Sequence, residues 1–180
     1  MAQHNLALVF VERGNEEDFR KAAFWLKRAA SDSFARSQYS LAKLYAAGLG
    51  VEKDDARALD LFLKAGDAGF VKAQYNLGKI FRDGIGVEAD PDLSVSWFRK
   101  AANQGYAKAQ EKLASRYARG IGVKSDVTEA LKWAILATQQ GHPAAGNMVT
   151  ELRNSMSRRQ IAEAESRAKA FRSGPATPGR

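Results

Sequence analysis

Apolar residues recur along this chain in two nested rhythms. The short one is helical: Leu41, Leu44 and Tyr45 fall at i, i+3 and i+4, and Leu77, Ile80 and Phe81 repeat the stripe. That spacing lines one face of a helix and does not fit strand alternation. The long rhythm is a shift of 36 positions, which superposes Trp25, Leu61, Trp97 and Trp133. At other phases the same shift aligns Asp18, Asp54, Asp90 and Asp126, then Gly48, Gly84 and Gly120, then Gly14, Gly50, Gly86 and Gly122. Ala29, Ala65, Ala101 and Ala137 form a further column, as do Gly69, Gly105 and Gly141. A period between about 20 and 50 residues marks a stacked array of supersecondary units.

Each unit reads as two helices. The first ends at the Gly48, Gly84 and Gly120 column, where a left-handed residue closes a helix and glycine enters that conformation without steric cost. The second opens at the aspartate column: Asp90 precedes Pro91, which suits an N-cap followed by proline at the first helical position, and Asp126 with Glu129 has capping-box spacing. Its buried face is predicted to carry Ala58, Leu61, Phe62 and Ala65, echoed by Ser94, Trp97, Phe98 and Ala101, so the tryptophans read as core rather than as stacking platforms. The boundaries follow: a degenerate first unit over 1–34, full units over 35–70, 71–106 and 107–142, terminal and capping helices over 143–172, and a flexible tail over 173–180. In the capping helix Ser157 and Gln160 form a second capping-box pattern ahead of Ile161, Ala164, Ala168 and Phe171 at helical spacing.

Leu77-Gly78, Phe81, Gly84-Ile85-Gly86-Val87, Asp90, Trp97, Lys100-Ala101-Ala102 and Gly105, with their counterparts in the other units, resemble the Sel1-like repeat, a relative of the tetratricopeptide repeat. Three positions depart from the pattern: Leu61 stands where tryptophan is usual, Arg116 enters an apolar column, and Glu12 replaces the first turn glycine. The resemblance implies an all-α, right-handed solenoid of helix pairs whose first helices line a concave side. It also implies an adaptor or scaffold role, mostly in bacterial signalling, envelope and host-contact systems.

Composition narrows the function further. Hydrophobic residues make up 45% and charged residues 27%, which is globular. With no cysteine, thiolate catalysis, disulfide frameworks and cysteine-rich zinc sites are excluded. The apolar run Leu6 to Val11 lacks a basic leader, and no stretch approaches the roughly 20 apolar residues of a membrane span. A cytoplasmic chain without membrane insertion is expected, or a periplasmic or secreted one if a leader has been removed. Net charge is +8, and seven of the basic residues, against three glutamates, lie from Glu151 onward.

Catalytic patterns are missing from the sequence. The Gly-x-Gly turns recur in phase with the fold and carry no Walker lysine, and the aspartates occur one per unit, about 20 Å apart at two helix diameters. His4 and His142 have no partners at catalytic or ligand spacing, so no enzyme activity, metal or cofactor is expected. The informative positions are those on first helices that packing does not require: Arg36, Tyr39 and Lys43; Lys72, Tyr75, Asn76, Lys79 and Arg82; Lys108, Lys112 and Arg119. Arg36, Lys72 and Lys108 align across units, as do Lys43 with Lys79 and Tyr39 with Tyr75. Such a ladder of cations, tyrosine and asparagine can hold the carboxylates and amides of a protein or peptide with acidic character. The alternative is nucleic-acid binding by the basic C-terminal segment through Arg153, Arg158, Arg159, Arg167, Lys169 and Arg172, and self-association is the remaining one.

Overall fold

The structure, a computed structural model, describes residues 2–31 and 34–171. The tail over 173–180 lies outside them. Among the described residues there are ten helices and no strand, so the chain is an all-α repeat solenoid. It divides into two compact units, one running to Glu88 and the other starting at Ala89.

The first unit contains α1 (Ala2–Arg13), α2 (Glu16–Ser31), α3 (Ala35–Ala47), α4 (Asp55–Asp67) and α5 (Val71–Asp83), each packed on the next in sequence. Leu41, Leu44 and Tyr45 of α3 and Leu77, Ile80 and Phe81 of α5 are buried, as their spacing predicts. Asp54 caps α4 by accepting the Arg57 N–H at 2.8 Å, while its own N–H donates to the Tyr45 carbonyl at 3.0 Å, tying the turn to the preceding helix. The first repeat departs from this plan. Asn15, not Asp18, caps α2: the Asp18 N–H donates to Asn15 Oδ1 at 2.9 Å, and Asp18 itself is buried within the first turn. Gly14 and Asn15 alone link α1 to α2, so Gly14 ends α1 rather than serving as the second turn glycine. The first repeat is also one residue out of phase. Lys21 of α2 stands 5.9 Å from the Phe10 ring just as Arg57 of α4 stands 5.7 Å from the Tyr45 ring, which aligns Leu6-Ala7-Leu8-Val9-Phe10 with Leu41-Ala42-Lys43-Leu44-Tyr45. Leu6 and Val9 thus hold core positions yet remain exposed. Leu61, expected on the buried face, is only half-buried, as is Trp25 of the same column, and it lines a shallow pocket with Lys27, Gln38 and Lys64.

The second unit contains α6 (Pro91–Asn103), α7 (Ala107–Arg119), α8 (Val127–Gln139), α9 (Pro143–Ser155) and α10 (Arg158–Ala170). Trp97, Phe98 and Trp133 are core residues. Asp90 caps α6 through the Leu93 N–H at 2.9 Å, with Pro91 opening the helix. Asp126 caps α8 through the N–H groups of Thr128 and Glu129, but the expected reciprocal box does not form. The Asp126 N–H is already taken by the Tyr117 carbonyl at 3.0 Å, and Glu129 turns to Lys132 and Arg167 instead. At Ser157 and Gln160 both halves of the box are present. Helix α10 packs on α8, burying Ala164 and Ala168 and setting Phe171 edge-on to Trp133 at 5.3 Å.

One column is polar and buried. Gln74 Nε2 donates to the Gly66 carbonyl at 3.0 Å in the first unit, and Gln110 Nε2 to the Ala102 carbonyl at 3.3 Å in the second. Each ties the start of a first helix to the last turn of the helix before it. The second glycine of each turn meets the opening of an earlier second helix. A Cβ on Gly50 would lie 2.2 Å from the Phe19 carbonyl carbon, and one on Gly122 would lie 2.1 Å from the Pro91 carbonyl oxygen.

Candidate functional site

Two adjoining cavities open along the first helices of the unit that ends at Glu88. One, of about 310 Å³, lies between α3 and α5, with Lys43 and Lys79 on its walls and Phe62, Ala58 and Ile80 beneath. The other, of about 550 Å³, lies between α1 and α3 and reaches Lys72 at the start of α5. Tyr39, Lys43 and Ala47 line both, so the two make one groove. Tyr39 is held by packing: its ring meets Phe62 at 5.8 Å and Phe70 at 5.1 Å, and its hydroxyl accepts from Asn76 Nδ2 at 3.3 Å. Asn76 is thereby fixed against Tyr39 on the opposite helix, and the cations around them extend from helical stems toward solvent.

Charge is sorted between the helices. Helix α3 carries Arg36 and Lys43 and no acidic residue, and α5 carries Lys72, Lys79 and Arg82 against Asp83 alone. Helix α4 carries three aspartates against Arg57 and Lys64, and one of them, Asp55, lines the smaller cavity while pairing with Lys53 at 3.2 Å. Arg36, Lys43 and Lys72 are exposed and Lys79 is half-buried, so the rim presents four cations over an apolar floor.

The structure gathers Arg36, Tyr39, Lys43, Lys72, Asn76 and Lys79 on this groove. Tyr75 is half-buried on α5 and does not line either cavity. Arg82 forms a two-pronged ion pair with Asp83, at 2.6 and 2.7 Å, which engages its guanidinium locally. Lys108, Lys112 and Arg119 belong to α7 in the second unit, where Lys112 pairs with Glu111 at 3.0 Å and Lys108 and Arg119 are exposed. Of the basic C-terminal residues, Arg153 pairs with Glu165, and Arg167 with both Glu129 and Glu163. Arg158, Arg159 and Lys169 are exposed, and Arg172 lies outside the described residues.

Sequence reasoning missed the contribution of α1. His4 is buried, with Nδ1 3.0 Å from Ser37 Oγ and its ring edge-on to Phe34, and it lines the larger cavity beside Leu8 and Val11. Burial first, and then the Arg36 charge, hold its pKa below the ordinary histidine value. Ile85, at the tip of a Gly-x-Gly turn, reaches the smaller cavity and is 44% exposed. The column of large apolar residues between turn glycines, Leu49, Ile85 and Ile121, was the available signal for it.

A model of the Sel1 repeat matches residues 1–34, 35–70, 71–106 and 107–142. The chain belongs to the Sel1 repeat family. A Sel1 repeat protein from Oxalobacter formigenes has a similar crystal structure, at 35% identity and a TM-score of 0.78 over 84% of this chain. A protective antigen present in uropathogenic Escherichia coli strains, which displays an SLR fold, is 25% identical with a TM-score of 0.63 over 94% of this chain. This chain covers 44% of each of those two proteins. No curated protein matches it. The Sel1 repeat fold is commonly a protein–protein interaction scaffold, and proteins built from such repeats are generally non-catalytic. Among the described residues no helix of this Sel1 repeat chain is long and apolar enough to cross a membrane.

Proposed function

We propose that this Sel1 repeat chain is a non-enzymatic scaffold that holds a protein or peptide segment of acidic character in the groove along α3 and α5. The observation that carries the reading is the sorting of charge. The cations of these helices outnumber the acids around the cavities, and the aspartates lie on α4, where Asp55 reaches the wall of the smaller cavity but is paired with Lys53 at 3.2 Å. A cationic rim steers acidic partners and fixes register, while the apolar floor and the amide of Asn76 supply short-range contacts. The basic C-terminal segment is the weaker candidate, because two of its arginines are already neutralised by glutamates.

The test is the pair Lys72→Glu and Lys79→Glu, compared with Arg158→Glu and Arg159→Glu, which makes the same charge change on α10. Both double variants should stay within about 0.5 kcal/mol of the parent in stability, since neither pair occupies a cap or the core. Against an array of synthetic peptides graded in acidic content, the groove variant should lose at least about tenfold in affinity, and the control should not. Loss of binding in the control alone would move the function to α10.

A further inference from the structure

The groove changes chemistry along its length. With the first repeat brought into phase through Phe10 and Tyr45, the position that is Lys43 on α3 and Lys79 on α5 is Leu8 on α1, and the position of Ala46 is Val11. The cavity linings follow the same alignment: α3 offers Tyr39, Lys43, Ala46 and Ala47 to the smaller cavity, where α1 offers His4, Leu8 and Val11 to the larger one. The larger cavity therefore has a wall without cations on α1, facing Arg36 and Lys43 on α3. The smaller one has a lysine on each side, and the one carboxylate on its wall, Asp55, is engaged by Lys53 at 3.2 Å.

We infer that the occupant of this groove is a peptide segment with two parts, a large apolar side chain seated between α1 and α3 and acidic residues lying over Lys43 and Lys79. This inference rests on the scaffold reading above and specifies its ligand. The about 550 Å³ beside Leu8 and Val11 accommodates a leucine or phenylalanine side chain, and nothing on the α1 wall competes for a carboxylate. His4, the titratable group of that wall, has its pKa lowered by burial first and then by Arg36, which disfavours a positive charge there. Leu8 is 37% exposed, so an apolar residue placed against it removes hydrocarbon from water on both partners. A lysine in the ladder position would instead favour acid along the whole groove. The sequence therefore encodes a direction: apolar toward α1, acidic toward α5.

The experiment uses the full chain and four synthetic peptides that carry a Glu-Glu pair with one adjacent position varied among Ala, Lys, Leu and Phe, each matched by a Gln-Gln counterpart that reads the acid requirement, all followed by fluorescence anisotropy. Leu and Phe peptides should bind about tenfold or more tightly than the Ala peptide, as expected for filling an apolar pocket. Leu8→Lys should abolish that preference and retain the requirement for the Glu-Glu pair. Lys79→Glu should weaken all four peptides and keep their order. Equal affinity of the Ala, Leu and Phe peptides, with the acid requirement intact, overturns the two-part ligand and leaves the scaffold reading standing. Absence of any acid requirement, or of binding by all peptides, overturns both. Helicity of Leu8→Lys matching the parent ensures that a lost preference is not a lost fold.

Discussion

The His4 imidazole reaches Ser37 through Nδ1 and is buried, with no hydrogen-bond partner for Nε2 among the described residues. Its pKa in the folded chain is below the value of 6.5 that an unperturbed histidine has. The sign of the consequence is fixed. Above about pH 6.5 folded and unfolded chains are both neutral at this site, and below it the unfolded chain takes up a proton that the folded chain refuses. The stabilisation is thus fully present at neutral pH and declines as pH falls through 6.5 toward the folded value. The melting temperature should drop between about pH 7.5 and 5.5, above the range of ordinary carboxylates, and His4→Leu should flatten that dependence. A variant with the parent's slope would show that another group is responsible. The burial of His4 was not legible in the sequence, since rigid alignment at 36 residues sets it against Ser40, a groove position. The aspartate caps at Asp54, Asp90 and Asp126 were legible because an N-cap is a local device, decided by the residue and its next three neighbours. Glu129 was misread because its partners, Lys132 and the distant Arg167, are chosen by packing of α10 on α8.

At the scale of elements, the turn between helices uses its glycines for different reasons. Gly122 and Gly141 both have left-handed backbones, with φ of 68° and 75°. Only Gly122 is pressed against another helix, where a Cβ would meet the Pro91 carbonyl; Gly141 has nothing within 4 Å. Gly141→Ala should cost about 1 to 2 kcal/mol, the penalty for the left-handed conformation, and Gly122→Ala should cost about 1 to 3 kcal/mol beyond that, because α6 or the turn must shift. Urea unfolding of the two variants measures the difference, and equal losses would mean that the approach to α6 does not constrain the turn. The glycine columns were plain in the sequence. The close contact that explains the second column was not, because it joins residues 31 positions apart through the stacking of helices. The buried glutamines show the converse: Gln38, Gln74 and Gln110 are periodic, but a search led by apolar residues passes over them. The slip in the first repeat was equally open to reading, since Leu6-Ala7-Leu8-Val9-Phe10 copies Leu77-Gly78-Lys79-Ile80-Phe81 one residue out of step.

Across the whole molecule the charge is uneven. Residues 1–88 hold 13 basic and 12 acidic side chains, while residues 89–180 hold 15 and 8. The groove in the first unit is therefore cationic by arrangement rather than by excess, which net charge and pI could not reveal. The excess lies elsewhere, and it bounds any affinity for nucleic acid. On α10, Arg158, Arg159 and Lys169 are exposed and Arg167 is committed to glutamates. At about 0.9 per phosphate contact, binding of generic duplex DNA through α10 should follow salt with a logarithmic slope no steeper than about −3. A steeper slope in a salt titration would mean that cations of other helices touch the backbone. The fold class, the helix pairs and most groove positions could be read from periodicity. The apolar wall of α1 was missed by the rigid shift of 36, because a helix that departs from the common register loses its place in those columns, and only a search that allows a one-residue slip restores it.

The paired contacts that recur at one interval bear on how such a gene changes length. Gln74 and Gln110 each bond the carbonyl eight residues earlier, and the N–H groups of Asp54 and Asp126 each bond the carbonyl nine residues earlier. Unequal crossing-over between the coding segments of two repeats removes or adds 36 codons and leaves each of these bonds with a partner at the new junction. Repeat number can drift while the interface stays constant. Two places break the rule: Gly146, in the glutamine column, has no side chain to make the bond, and α1 stands one residue out of register with α3 and α5.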